Sequence, residues 1–501
     1  MNKKLIYDVN DRPKFSKMLI FALQQLLAIL AATIAVPSII GLPTQIPAAI
    51  FGAGIGTLVY QLFTRFKSPV FLGSSFAFLS SLGVAVAYGY CGIVLGSLVA
   101  GLVYVIIALV IHFVGTGWVN KLMPPVIIGP TVALIGLSLA GSAMGDIVKA
   151  NASELYGKYN LISLLCGVIT FVAVVICSTQ KKYTMPRLIP FIIGIGVGYA
   201  SSSFFTLIGS IFEIDYLMIV NWDPIVNNFV DAQGSFRGIK AFFDFPDFAI
   251  VEAIKELVNG ELSSEINAAS KGSATLLNLG GIAEVIIAFL PVALVVFAEH
   301  IADHKNLSSI IEKDLIEDPG LEKTLLGDGV GSIAGTVLGV CPNTTYGESV
   351  GCVAITKNAS VATITTTAFM CIILSFISPV MTLLQTIPSC VMGGVCLTLY
   401  GFIAVSGLKM FKDLDLADNK NLFVVSAILI SGIGGLTIQI PYALEANGAI
   451  SKTIQITSIA TALIIGIVTN AILNKLGKSK FGKEPEADIK AENEACENEK
   501  V

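Results

Sequence analysis

The stretch "PNTTYGESVG", residues 342–351, is a run of small polar residues with a single carboxylate, set between two apolar runs. In a soluble protein it would pass for a surface loop. Its surroundings exclude that. Of the 501 residues, 54% are hydrophobic and 13% charged, against about 25% charged in soluble domains. Apolar runs recur along the whole chain, each near the ~20 residues that carry a helix across a bilayer. Backbone polar groups in lipid must be satisfied internally, by helices or a closed barrel. Period-two alternation is absent, so the runs read as helices. Irregular chain survives at membrane depth only where protein buries it or where it lines a cavity. Residues 342–351 therefore read as extended chain leading into a half-helix that begins near Glu348. The unpaired N–H groups and positive dipole end of such a half-helix point at whatever occupies the cavity.

The apolar runs fall near 16–37, 46–63, 69–86, 90–113, 122–143, 161–178 and 187–211. A second set falls near 276–302, 325–340, 346–358, 361–383, 388–410, 421–438 and 450–474. The first run follows a charged stretch but leads into further spans, so it reads as a span and not as a signal peptide. Counting the short polar runs gives fourteen segments, seven per half. "SPVFLGSSFAFL" (68–79) and "CPNTTYGESVG" (341–351) are Gly/Ser/Thr-rich interruptions of equal rank, third and tenth. In the fifth and twelfth, Pro124 to Gly129 and Pro388 to Gly393 repeat one spacing. Seven segments per half invert the second half in the membrane. Interrupted segments at matching positions of inverted halves point to a transporter's binding site. The two extended pieces are placed to pair and satisfy each other's backbone. The expected fold class is an all-α polytopic membrane protein of two inverted seven-segment repeats, with short antiparallel strands in segments 3 and 10.

Loops holding Arg65, Lys67, Lys121, Lys181, Lys182 and Arg187 fall on one side of that topology, which puts both termini in the cytoplasm. Residues 212–275 are acidic, lie outside, and read as an insertion capping the outer face. The tail 475–501 is charged and aromatic-poor and reads as disordered. Nine scattered cysteines without a CxxC argue against a disulfide framework and a zinc cluster. Net charge is −4, and no basic face suggests nucleic acid. No nucleophile–base pair or phosphate loop suggests an enzyme, and no cofactor is implied.

Glu348 is thus a carboxylate at membrane depth, where function is the default expectation. A second lies in "FLPVALVVFAEHIADH", residues 289–304. Three readings compete there. His300 and His304 are spaced i,i+4, as metal ligands on a helix would be. Alternatively His304, with Lys305, marks the cytoplasmic end of the helix. In the third, preferred reading Glu299, with Asp303 one turn on, faces the cavity and pairs with Glu348. Desolvation and mutual repulsion disfavour charge on such carboxylates, so they suit proton pick-up and release. They also accept hydrogen bonds from a ligand's N–H groups, and Phe76 offers a stacking face. From the residues alone the reading ends at a proton-coupled transporter of a small polar solute.

The order and spacing of "LGSSFAF", "GTGW", "AEH", "KDLIEDPGL", "PNTTYGE" and "VMGGV…LYG" resemble the nucleobase–ascorbate transporter family, and within it bacterial uracil permeases. The likeness covers nearly the whole chain apart from the insertion and the tail. It implies a core of segments 1–4 and 8–11 (16–113 and 276–383) and a gate of segments 5–7 and 12–14 (114–211 and 384–474). It also implies a nucleobase, with uracil first, held between the strands of segments 3 and 10. Carried over by motif, Glu299 and Glu348 are the substrate-binding glutamates. Tyr346, Gly347, Phe76, Ala32 and Tyr400 match other site-lining positions. Proton coupling falls to Glu299, Asp303 and Glu348, with H⁺ as the coupling ion. The resemblance also allows a homodimer through the gate, for which no motif speaks. Two departures stand out. Ser349 replaces the usual Asn after Glu348, removing an amide that could brace the site. Asp303 stands where uracil permeases often carry His, and an aspartate ordinarily titrates below histidine. Rival readings are a xanthine or other purine carrier, an anion exchanger or channel of the same architecture, and a non-transporting sensor.

Overall fold

The computed structural model describes residues 5–149, 159–182, 184–230, 234–444 and 450–478. In the first half, α1 (Phe15–Ile39), α2 (Ile46–Phe63), β1 (Leu72–Ser74), α3 (Leu79–Val86) and α4 (Gly89–Val114) follow one another closely. A short α5 (Gly117–Leu122) leads to α6 (Pro125–Val148), α7 (Leu161–Thr179), α8 (Thr184–Leu188) and α9 (Pro190–Phe212). Three short helices then lie outside the bundle: α10 (Asp223–Phe229), α11 (Ala249–Asn259) and α12 (Ser264–Ala269). The second half opens with α13 (Leu279–Ile311), α14 (Leu321–Val337), β2 (Asn343–Thr345), α15 (Gly347–Thr356), α16 (Val361–Ser375) and α17 (Ser378–Gln385). It closes with α18 (Ser389–Lys409), α19 (Asn419–Ile433), a hairpin of β3 (Ile438–Leu444) and β4 (Ile450–Ile456), and α20 (Ser458–Lys478). Nine helices among the described residues are long and apolar enough to cross a membrane, and α16 and α19 are shorter apolar helices.

Three boundaries differ from the sequence reading. The run 450–474 is not one span. Its start, "ISKTIQI", alternates apolar with polar residues and pairs antiparallel with β3, so period two does occur here. The helix after it continues to Lys478, and the remainder of the expected tail, 479–501, lies outside the described residues. His304 does not mark a helix end: α13 runs on to Ile311, and His304 is fully buried.

Helices that share lipid on all sides gain nothing from hydrophobic burial against one another, so they associate where small residues admit close packing. A Cβ on Gly52 of α2 would lie 2.1 Å from the Gly335 carbonyl oxygen of α14. A Cβ on Gly407 of α18 would lie 2.2 Å from the Ala133 nitrogen of α6. Only glycine permits either approach. β1 and β2 cross inside this packing with Leu72 opposite Thr345 and Ser74 opposite Asn343. Side chains complete their hydrogen bonding. Thr57 Oγ1 receives Leu72 N at 2.9 Å, Ser332 Oγ receives Asn343 N at 3.0 Å, and Asn343 Nδ2 donates to Gly52 O at 3.0 Å. That is how extended chain is tolerated at this depth.

The outer segment is fastened to α4. Glu256 is buried, and its Oε2 accepts from Tyr90 N at 2.8 Å, capping the first turn of that helix. Burial pushes the Glu256 carboxyl above its usual range, against the lowering effect of the Ser263 and Tyr90 N–H groups. The folded chain therefore holds this proton more tightly than the unfolded chain. Its contribution to stability falls as pH rises from the ordinary glutamate value through the raised one. Glu256→Gln keeps an acceptor for Tyr90 N, and is expected to flatten that fall when melting temperature is followed from about pH 4 to 7.

Candidate functional site

The strand crossing and α13 enclose a cavity of about 710 Å³. Ser75, Phe76, Glu299, Asp303, Thr344, Thr345, Tyr346, Gly347 and Glu348 line its inner end. From there it runs toward the C-terminal ends of α7, α13 and α18, past Ser178, Asn306, Ser309, Ser406 and Lys409. Asn306 Nδ2 donates to Ser406 Oγ at 3.3 Å, joining α13 to α18 along the wall.

The local sequence explains the inner end. Glu299 and Asp303 are spaced i,i+4, so both project from one face of α13. β2 ends at Thr345, and α15 starts at Gly347, which puts Glu348 in the first turn of a helix opening on the cavity. A carboxylate is favoured there by the helix dipole. Thr345 Oγ1 donates to Asp303 Oδ2 at 2.7 Å and ties the strand to α13. Glu299 Oε2 and Glu348 Oε1 are buried atoms with no hydrogen-bond partner among the described residues. Buried acceptors without a donor are costly. Two of them on one cavity suit a ligand that presents N–H groups. Phe76 lies on the wall and packs edge-on against Tyr400, ring centroids 5.3 Å apart.

Of the residues named from sequence, Glu299, Asp303, Tyr346, Gly347, Glu348 and Phe76 come together on the cavity. Ala32 and Tyr400 are buried but are not on its wall in this conformation; Tyr400 stands behind Phe76. The Tyr346 hydroxyl is engaged by the protein, donating to Ser74 O at 3.0 Å and lying 3.3 Å from Thr33 Oγ1. Its ring fills the space beside Gly73, where a Cβ would sit 2.4 Å from it. Tyr346 thus locks β1, β2 and α1 together.

The histidines do not form a metal pair. His300 Nδ1 meets Asp328 Oδ2 at 2.7 Å and its Nε2 meets Thr324 Oγ1 at 3.1 Å. His304 Nδ1 donates to His300 O at 2.8 Å, and its Nε2 lies 2.7 Å from the Tyr60 hydroxyl. All four ring nitrogens are engaged by protein groups.

Ser349, at the position of the Asn-to-Ser departure, is held by α1. Gln25 Nε2 of α1 donates to Ser349 Oγ at 2.5 Å, and both residues are buried. Sequence reasoning missed Gln25, although glutamines inside an apolar run are a visible signal for a buried partner. Ser349→Ala leaves the Gln25 amide buried without an acceptor, at a cost of about 1–3 kcal/mol. The expected result is a lower melting temperature and a KM raised several-fold with kcat little changed. Ser349→Thr should restore both.

The permease family matches residues 16–441. The uracil permease of Bacillus subtilis (strain 168) is 36% identical over 491 residues, covering 97% of this chain and 98% of that protein. The uracil permease of Bacillus caldolyticus is 35% identical over 476 residues, covering 94% and 95%. That of Escherichia coli (strain K12) is 32% identical over 464 residues, covering 92% of each. Among solved structures, the murine anion transporter Slc26a9 in its inward-facing state is similar with a TM-score of 0.61 at 11% identity. The likeness covers 94% of this chain and 70% of that one. The transmembrane domain of the cyanobacterial bicarbonate transporter BicA is similar with a TM-score of 0.50 at 11% identity, covering 92% and 100%. At that identity the two structures speak for the fold alone.

Proposed function

The chain belongs to the permease family, the nucleobase–ascorbate transporters, and is a transporter and not an enzyme; on that premise we propose that it imports uracil together with protons by alternating access. The observation that carries the reading is the pair of orphaned carboxylate oxygens, on Glu299 and Glu348, facing one cavity. Uracil presents two N–H groups and two carbonyls around a flat ring. The glutamates accept from its N–H groups, the exposed backbone N–H groups at the start of α15 meet a carbonyl, and Phe76 stacks on the ring. Asp303, held by Thr345, keeps a third carboxylate within one helical turn of Glu299. A carrier proton resides on this group of three.

In this reading fourteen segments form two inverted repeats. α1–α4 with α13–α16 make a core that holds the site, and α6–α9 with α18–α20 make a gate against which it moves. Both termini lie in the cytoplasm, and the cavity, running to the cytoplasmic ends of α7, α13 and α18, belongs to an inward-facing state. The Asn306–Ser406 contact spans core and gate and breaks when they move. Anions are disfavoured by three carboxylates at the cavity's inner end.

Uptake of labelled uracil into cells lacking their own permease tests the function. The expected result is uptake that collapses on addition of a protonophore and is not displaced by excess xanthine. Uptake insensitive to the protonophore would remove proton coupling. Xanthine uptake in place of uracil uptake would change the ligand while leaving the site.

A further inference from the structure

We propose that the outer segment, residues 213–230 and 234–278, is seated in the outer-leaflet interface of the membrane, its apolar side turned to lipid. Two surfaces carry this. The first is α11, a helix whose apolar arc is wider than the face it packs on the protein, with Lys255 and Asn259 on the polar side. Ala249, Ala253 and Glu256 face the protein and are buried. Val251, Ile254, Leu257 and Val258 face outward and are 42, 53, 66 and 78% exposed. Water would select polar residues for that face.

The second surface is the run 236–245. Phe236, Ile239, Phe243 and Phe245 are 62, 78, 60 and 78% exposed within ten residues. Scattered apolar residues on a surface need no explanation, but a contiguous set of this size marks an interaction site.

Continuity decides the occupant. The run 236–245 is stitched to the outer end of α16: Asp244 N donates to Phe376 O at 3.2 Å, and Ser378 N donates to Phe242 O at 3.0 Å. The Phe245 ring packs on Phe376 with centroids 5.4 Å apart. On α16 itself, an apolar helix, Phe369 and Ile373 are 53 and 63% exposed, as lipid-facing residues would be. Phe245 thus begins where the lipid-facing stripe of α16 ends. In the same way α11 rests on the first turn of α4, whose outward residues Leu98 and Leu102 are also exposed. A protein partner would have to share this patch with acyl chains; lipid covers both without a seam. Clustered exposed aromatic rings with an exposed Lys240 beside them are the composition of an interfacial anchor. The consequence is a collar that holds the outer ends of α4 and α16 at fixed depth. The segment is then a membrane anchor and not a water-facing cap.

The test uses the full chain in vesicles of phosphatidylcholine and phosphatidylglycerol, with Trp118 and Trp222 replaced by Phe. Single tryptophans are then placed by Phe245→Trp, Val258→Trp and, as a polar control, Glu261→Trp. Lipids brominated near the carbonyl end of the acyl chain are expected to reduce emission at 245 and 258 by at least about twofold, and to leave 261 unaffected. Aqueous iodide should do the reverse. Quenching of all three positions by iodide, with no effect of bromolipid, would overturn the proposal in favour of a water-facing cap. Shielding of 245 and 258 from both quenchers would overturn it in favour of a protein cover. The readout does not involve transport, so it stands whatever the substrate proves to be.

Discussion

Glu348→Gln is expected to lower uracil uptake by about 10- to 150-fold, the range for losing one hydrogen bond to a charged group. The geometry gives this loss a specific form. Glu348 sits in the first turn of α15 with one oxygen buried and unpartnered, so its present interactions within the protein are few. Replacing it removes an acceptor for the ligand and puts an amide donor in its place. It also relieves repulsion with Glu299 and Asp303 in the same cavity. The ligand-free variant should therefore melt no lower than the native protein, while the rise in melting temperature on adding uracil is lost. A residue with a merely structural role would show the opposite pattern, a lower melting temperature with ligand stabilisation retained. Glutamine also mimics a protonated glutamate, so any residual uptake should depend less steeply on external pH, with Glu299 and Asp303 left to carry the proton. Residual uptake that keeps the native pH profile would take proton coupling away from Glu348. Glu299→Gln should reduce uptake at least as far. Normal uptake by either variant would sink the assignment of the site.

Much of this arrangement is legible in the sequence, for reasons that also explain what is not. Residues 342–351 announce extended chain and a half-helix because polar residues at membrane depth have few physical options, and α15 begins one residue before Glu348. Glu299 and Asp303 fall on one face by helical periodicity alone. What periodicity cannot encode is the partner of a buried polar group. Thr345 meets Asp303 across 42 residues and Gln25 meets Ser349 across 324, and neither spacing leaves a local signal. The β3–β4 hairpin was hidden differently. "ISKTIQI" is short, and the apolar helix that follows masks its alternation in any window wide enough to find a span. His304 was misplaced because Lys305 beside it resembles a helix-terminal charge, whereas Tyr60 and the His300 carbonyl bury it in mid-helix.

Asp328→Ala is expected to be strongly destabilising, costing up to about 3 kcal/mol, because it leaves the buried His300 imidazole without its hydrogen-bond partner. His300 and Asp328 are both fully buried, 2.7 Å apart, and join α13 to α14. His300 follows Glu299 directly, so on α13 the two side chains are about 100° apart. The carboxylate turns to the cavity while the imidazole turns to α14. This pair fixes the rotation of α13, and with it the direction in which Glu299 points. Losing it should therefore cost uptake beyond what reduced protein abundance explains. Replacing both residues together by leucine removes the stranded group, and should recover most of the stability, since apolar groups of similar shape can replace both partners of a buried hydrogen bond at little cost. Uptake is the discriminating readout for that double variant. If it folds and transports, the pair is structural, and packing alone orients Glu299. If it melts near the native temperature yet does not transport, His300 and Asp328 take part in the cycle itself, and the protonatable set extends from the cavity into the α13–α14 contact.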